Sequence, residues 1–219
     1  MSRSPAPSVT AVVLCGGKSR RFGADKTAQP FGAGTVLDHL LDALPVDWHL
    51  VVVGVPRPTT RGVTWTREHP PGSGPLAGIE AGLAHVATEL TVVIAGDMPF
   101  AAPIAVAVAR ALGEAPGSIS AVAASPTTET PITAPSTTRP PTTTTPLTPG
   151  DARGNPLLTA YRTDQARAAL PQPTADRPAR ALLDAVPHHL LATSATALLD
   201  VDTTTDLAAA RGRLETPNA

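Results

Sequence analysis

The chain has 219 residues, enough for one large domain with a substantial buried core. Its 17 basic and 18 acidic side chains nearly cancel, so no global basic field calls for nucleic acid, and a single cysteine excludes both an intrachain disulfide and a cysteine-based zinc cage. No apolar run approaches the roughly 20 residues of a membrane helix, and the apolar stretch Ala11 to Leu14 is shorter than a signal-peptide core, so a soluble cytoplasmic protein is expected.

Val9 to Leu14 is a short β-rich run ending in a glycine turn. Val36 to Leu44 has helical apolar spacing and stops at Pro45. Leu50 to Val55 is a buried strand and Gly62 to Thr66 a weaker one; a helix entered at Pro75-Leu76 continues through Ile79 to Val86. Thr91 to Ala95 is another buried strand, broken by Gly96-Asp97-Met98-Pro99, and is followed by an alanine-rich helix, Ala102 to Leu112, and a short strand, Ser120 to Ala124. Pro156 to Tyr161 reads as a strand, Asp164 to Leu170 and Arg177 to Ala185 as helices, His188 to Leu191 and Leu198 to Val201 as extended, and Thr204 to Leu214 as the last helix.

Nearly continuous aliphatic strands alternating with helices describe an α/β fold whose mostly parallel sheet is covered on both faces. In such sheets ligands bind beyond the carboxyl ends of the strands, so chemistry is expected in the loops after Leu14, Val55, Ala95 and Val201. The whole chain, 1–219, reads as one domain with one interruption, Ser125 to Gly150, which holds seven Pro and eleven Thr in 26 residues. With one Ile and one Leu it cannot repay its own ordering entropy; it reads as a flexible insertion or linker, with a partner-binding arm as the alternative.

The loop after the first strand carries the strongest chemical signal. It runs from Leu14 and Cys15 through Gly16-Gly17 to Asp25-Lys26. Adjacent glycines let backbone N–H groups approach an anion, while Lys18, Arg20, Arg21 and Lys26 supply charge; Lys18 and Lys26 are the only lysines in the chain. A Walker loop would need glycine at position 12, where Val12 stands, and the G-x-G-x-x-G dinucleotide fingerprint is absent. A solvated basic turn is the plain alternative.

The segment LCGGKSRRFGADK resembles the signature L-A-G-G-x-S-x-R-M-G-x-D-K of nucleotidyltransferases that activate cofactor precursors and sugars. The Gly-Gly pair and Asp-Lys ending resemble most closely the molybdenum cofactor guanylyltransferases. Gly74-Pro75-Leu76-Ala77-Gly78 is similar to the family's G-P-L-A-G turn, Gly96-Asp97-Met98-Pro99 to its C/G-D-x-P metal loop, and Leu199-Asp200-Val201-Asp202-Thr203 to its N-[IV]-[ND]-T element. The likeness extends over nearly the whole chain outside Ser125 to Gly150. Cys15 stands for the usual Ala, Phe22 for Met, Gly54 for Asn, Glu68-His69 at the place of an acid that contacts guanine, and Thr204-Thr205 for Pro-Glu.

The resemblance implies a single-domain, Rossmann-like three-layer sandwich of the nucleotide-diphospho-sugar-transferase type. It implies transfer of GMP from GTP to the phosphate of molybdopterin, with Mg²⁺ as cofactor and pyrophosphate as the second product. Leu14, Cys15, Gly16, Gly17, Lys26, Gly78 and Asp97 are then expected at the nucleotide, Arg21, Lys26 and Asp97 in catalysis, and Asp97 and Asp202 at the metal. Neither nucleic acid nor membrane is an expected partner; transient contact with molybdenum-cofactor or molybdoenzyme assembly proteins is.

For Asp202, capping of the following helix by the Thr203 and Asp206 region is an equal alternative, and Asp200 competes with it for the metal. Asn155 and Arg162 are candidates for the acceptor, with a structural turn and a surface cation as equal alternatives; His188 and His189 flank a strand edge, and Trp48 and Trp65 are packing anchors. Two other functions fit the same pattern: a cytidylyltransferase or other nucleotidyltransferase of this fold, and a degenerate nucleotide-binding adaptor.

Overall fold

A computed structural model of the chain describes residues 7–16, 25–115, 117–124, 154–193 and 199–215. The expectations for Gly17, Lys18, Arg20, Arg21, Phe22, Leu198 and Ser125 to Gly150 lie outside these residues.

Strands β1 (Val9–Cys15), β4 (His49–Gly54), β5 (Thr64–Thr66), β6 (Leu90–Ala95), β7 (Ser120–Ala124), β8 (Gly154–Arg162) and β9 (His188–Ala192) form one sheet in the order β5-β4-β1-β6-β8-β7-β9. All run the same way except β8, which is antiparallel to both β6 and β7. The sheet is thus mostly parallel, as expected. Side chains alternate between faces along a strand. Ala11, Val13, Val52 and Val92 therefore pack with α1 (Val36–Ala43) and α3 (Ala102–Gly113) on one side. Val12, Val51, Val53 and Val93 pack with α2 (Pro75–Leu83), α4 (Thr163–Ala169) and α5 (Arg180–Asp184) on the other. Three layers result.

The helices start and stop for local reasons. Thr35 and Asp38 form a reciprocal capping box on α1, an arrangement worth about 1 kcal/mol. α2 begins at Pro75 itself, at the first helical position that proline favours, and ends at Leu83, short of the expected Val86, where the Arg167 guanidinium takes the Leu83 and Val86 carbonyls. α5 begins at Arg180 rather than Arg177, because the Arg177 carbonyl accepts from Leu76 N (3.2 Å).

Two parts were not expected. A two-residue hairpin, β2 (Pro30–Phe31) with β3 (Gly34–Thr35), precedes α1. It shares a small core with α6 (Thr204–Glu215): Phe31, Val36, Val201, Leu207 and Ala210 are buried together. Residues Leu199 to Val201 are irregular rather than a strand, because Val201 N is committed to the Asp97 carbonyl (2.9 Å) and its side chain to this core.

Candidate active site at the carboxyl ends of β1 and β6

From β1 the chain moves outward to β4 and β5, then crosses back to β6 on the other side of β1. This reversal opens a crevice beyond the carboxyl ends of β1 and β6, the place where open α/β sheets hold ligands. The two strands end in register, Leu14 opposite Ala95, with Gly96 N donating to the Leu14 carbonyl (2.9 Å). A Cβ at Gly96 would stand 2.5 Å from Cys15 Sγ and 3.2 Å from the Leu14 oxygen. The larger residue at 15 is therefore matched by the absence of a side chain at 96. Burial pushes the Cys15 thiol up to about 12, so it packs as a small apolar group rather than reacting as a thiolate.

Lys26 opens a single 3-10 turn, Lys26–Ala28, at the far end of the first loop. Its Nζ lies 3.4 Å from Asp97 Oδ2 and 2.5 Å from Asp202 Oδ1. Three of the expected residues, from loops that follow β1, β6 and β9, therefore meet at one point. Asp97 is delivered by the end of β6, and Asp202 by the docked C-terminal segment that Val201 ties to the Asp97 loop. The Asp202 alternatives separate here. Thr203 and Asp206 do the capping, with Thr203 N donating to Asp206 Oδ2 (2.7 Å) and Asp206 N to Thr203 Oγ1 (3.2 Å). The Asp202 carboxylate takes Lys26 instead.

The electrostatics are those of a site short of positive charge. Burial raises the Asp97 carboxyl above its ordinary range and the nearby Asp200 adds to this, although Lys26 opposes both. Asp200 is raised too, first by burial and then by Asp202 and Asp206. Burial would lower the Lys26 ammonium, but Asp202 and Asp97 hold it above its usual value. Carboxylates converging on one cationic point are the donor set of a hard, oxygen-preferring ion. Among the described residues no group of three or more His, Cys, Asp or Glu is placed to hold a metal ion. Asp97 and Asp202, which share the Lys26 ammonium, are oxygen donors of the type that suits a hard divalent ion such as Mg²⁺.

The remaining candidates are distributed around this point. Gly78, on the sheet side of α2, faces Leu14 and Val53; a Cβ there would touch both at 3.5 and 3.6 Å. The turn ahead of α2 needs left-handed backbone at Gly72 (φ 83°) and Gly74 (φ 92°). Asp176 N donates to Ser73 O (2.6 Å), stapling this turn to the loop before α5, and Glu68 closes it by accepting from Gly72 N (2.8 Å). Asn155, the second residue of β8, is at the mouth and accepts from Leu157 N (2.9 Å). Arg162 is at the opposite end of β8, paired with Leu90, and donates to the Ser118, Leu112 and Ala115 carbonyls; it closes α3 and is remote from the crevice. His188 and His189 lie on the edge strand β9 and bond to the Val186 carbonyl and the Ser118 hydroxyl respectively. Trp48 and Trp65 pack against the core.

Sequence reasoning missed Arg57, in the loop after β4. Its Nη1 donates to Asp25 Oδ2 (2.6 Å), Nη2 donates to the Thr27 hydroxyl, and Cζ lies 5.9 Å from the Trp65 ring centroid. The signal available was positional: the loop after Val55 is one of the four that end at the mouth.

The MobA-like NTP transferase domain family matches residues 11–193. A curated relative, the molybdenum cofactor guanylyltransferase of Mesorhizobium japonicum, is 37% identical over 129 residues, 53% of this chain and 61% of its own length. The chain spans 48% and 61% of the length of the first two curated relatives it matches. Among solved structures, molybdopterin-guanine dinucleotide biosynthesis protein A from Archaeoglobus fulgidus superposes with a TM-score of 0.62 at 19% identity, covering 94% of this chain and 98% of that one. A Mycobacterium tuberculosis protein solved in complex with manganese superposes with a TM-score of 0.58 at 19% identity, covering 95% and 100%.

Proposed function

This chain belongs to the MobA-like NTP transferase family, and we propose that it transfers GMP from GTP to the phosphate of molybdopterin, releasing pyrophosphate and forming molybdopterin guanine dinucleotide. The observation that carries this reading is the meeting of Lys26, Asp97 and Asp202 at the carboxyl ends of β1 and β6, directly after a glycine-rich loop. Curated relatives named molybdenum cofactor guanylyltransferase and probable molybdenum cofactor guanylyltransferase support this choice of acceptor and base.

In such a transfer an oxygen of the acceptor phosphate bonds to the α-phosphorus of the nucleotide, and the bond from that phosphorus to the bridging oxygen breaks. The electron pair leaves with pyrophosphate. Negative charge crowds the α-phosphate throughout, so the protein's contribution is positioning and neutralisation. Lys26 is built for this. Its partner Asp202 is 57% exposed, so solvent screens and weakens the pair. The ammonium can therefore exchange a carboxylate for a phosphate oxygen at little cost. Asp97 and Asp202 would hold Mg²⁺, which when bound would neutralise phosphate oxygens. Leu14, Cys15, Gly16 and Gly17 are assigned to the nucleotide, Arg21 to the leaving pyrophosphate, and Gly78 to the nucleotide beside Leu14.

The test is incubation of the protein with molybdopterin, Mg²⁺ and each nucleoside triphosphate in turn, with mass identification of products. GTP is expected to give the guanine dinucleotide and pyrophosphate. A dinucleotide formed from CTP instead would move the proposal to a cytidylyltransferase. No pyrophosphate from any triphosphate would leave the adaptor reading in its place.

A further inference from the structure

Lys26 stands in a turn of only three residues, Lys26–Ala28, with backbone bonds from Ala28 N to Asp25 O and from Gln29 N to Lys26 O, both 3.2 Å. A single 3-10 turn has poor hydrogen-bond geometry and little stability of its own, and lysine has a long, rotamer-rich stem. Something else must hold the ammonium where Asp97 and Asp202 find it.

That support is a closed ring of side chains around Lys26. Asp25 Oδ1 accepts from Thr27 N (2.9 Å) and from the Thr27 hydroxyl (2.7 Å). Asp25 Oδ2 accepts from Arg57 Nη1 (2.6 Å), and Arg57 Nη2 donates to the Thr27 hydroxyl, which completes the circuit. The ring therefore clamps the residues immediately before and after Lys26. Its anchor is rigid: the Arg57 guanidinium lies against Trp65 of β5, which packs on the core. Its far side is fixed as well, because Thr27 is buried and its methyl lies 3.3 Å from the Cβ position of Gly96, next to Asp97.

We propose that Arg57 is a positioning residue: it holds the Lys26 ammonium in place from both flanking residues and makes no contact with substrate itself. Both terminal nitrogens of the guanidinium are engaged by Asp25 and Thr27, and the remaining Nε is buried without a hydrogen-bond partner. The two prongs match two acceptors at once, which a lysine at 57 would not reproduce. The proposal rests on the reading of Lys26 as the triphosphate cation only for its catalytic consequence, not for the placement of Lys26.

The chain's two lysines allow a direct test. The folded protein, without nucleotide or divalent ion, is labelled at fixed pH with a trace of acetic anhydride, and the ratio of Lys26 to Lys18 acetylation is read by peptide mapping. Arg57→Met is expected to raise that ratio severalfold, and Arg57→Lys to leave it raised. Thr27→Val opens the same ring from the other side and serves if the Arg57 variants do not fold. An unchanged ratio in a folded variant overturns the proposal. Turnover supplies the second readout. Arg57→Met should lower kcat on the order of tenfold to a hundredfold with little change in KM, and should lower it no further in a Lys26→Ala background. Independent, multiplying losses would overturn action through Lys26. A wild-type protein inactive with every triphosphate would refute the nucleotidyl-transfer reading, and the labelling ratio would still decide the role of Arg57.

Discussion

At the end of the sheet where β1, β4 and β6 begin, arginines are spent on helix termini. Arg61 donates to the Leu41, Leu44 and Pro45 carbonyls at the end of α1, Arg167 to Leu83 and Val86 at the end of α2, and Arg162 to Leu112 and Ala115 at the end of α3. Each adds a charged donor to carbonyls at a helix C-terminus and complements the negative end of its dipole. At the opposite end Arg57 takes a carboxylate and a hydroxyl, and Lys26 faces carboxylates it only partly satisfies. One end is electrostatically closed; the other is left with capacity to bind.

Two aspartates repeat the contrast at the scale of a single side chain. Asp38 accepts from Thr35 N (3.0 Å), the Thr35 hydroxyl (2.7 Å) and Thr60 N (3.0 Å); burial would raise its carboxyl, but these donors bring it below the ordinary range. Asp97, with Lys26 at 3.4 Å, is pushed the other way by burial and by Asp200. A carboxylate with its hydrogen bonds filled is a piece of scaffold. One that is buried and under-compensated is a candidate ligand for a cation.

Removing a cation from each end separately should have opposite effects. Lys26→Ala should cut nucleotidyl transfer by about 10²-fold or more, the scale of a lost charge-stabilising group, while the melting temperature moves little. Loss of folding in proportion to loss of activity would make Lys26 scaffold. Arg162→Met should do the reverse. Losing the charge-assisted bonds from Arg162 to the Ser118, Leu112 and Ala115 carbonyls costs roughly 1–3 kcal/mol. That would lower Tm by roughly 3–10 °C in a chain of this size while turnover per folded molecule stays unchanged. A drop in turnover without a change in Tm would place Arg162 at the acceptor after all.

Much of this was legible before the structure. The aliphatic runs Val9 to Leu14, Leu50 to Gly54 and Thr91 to Ala95 are buried or nearly so on both faces, so their composition alone marks them as central parallel strands; Val55, expected in the second, is exposed beyond its end. Lys26 stood out because lysine is scarce, and Asp97 because it ends a buried strand. Strand direction was not legible: β8 reads as another aliphatic strand, and its reversal depends on pairing between β6 and β7. The hairpin Pro30 to Thr35 has only two residues per strand, too few for periodicity to register. Arg57 was invisible because its role exists only through Asp25 and Thr27, some 30 positions away, and nothing local in Pro56-Arg57-Pro58 announces it.

Under the proposed function, Asp97, at the mouth between β1 and β6, is the protein's principal hold on a divalent ion and its nucleotide. Titration of Mn²⁺ in the presence of GTP, followed by electron paramagnetic resonance, tests it in the wild type and in Asp97→Asn. One tightly held ion per chain is expected in the wild type, and a loss of at least about tenfold in affinity in the variant, as when one carboxylate of a two-carboxylate site is neutralised. Equal Mn²⁺ affinity in the two proteins, with the variant folded, would contradict it.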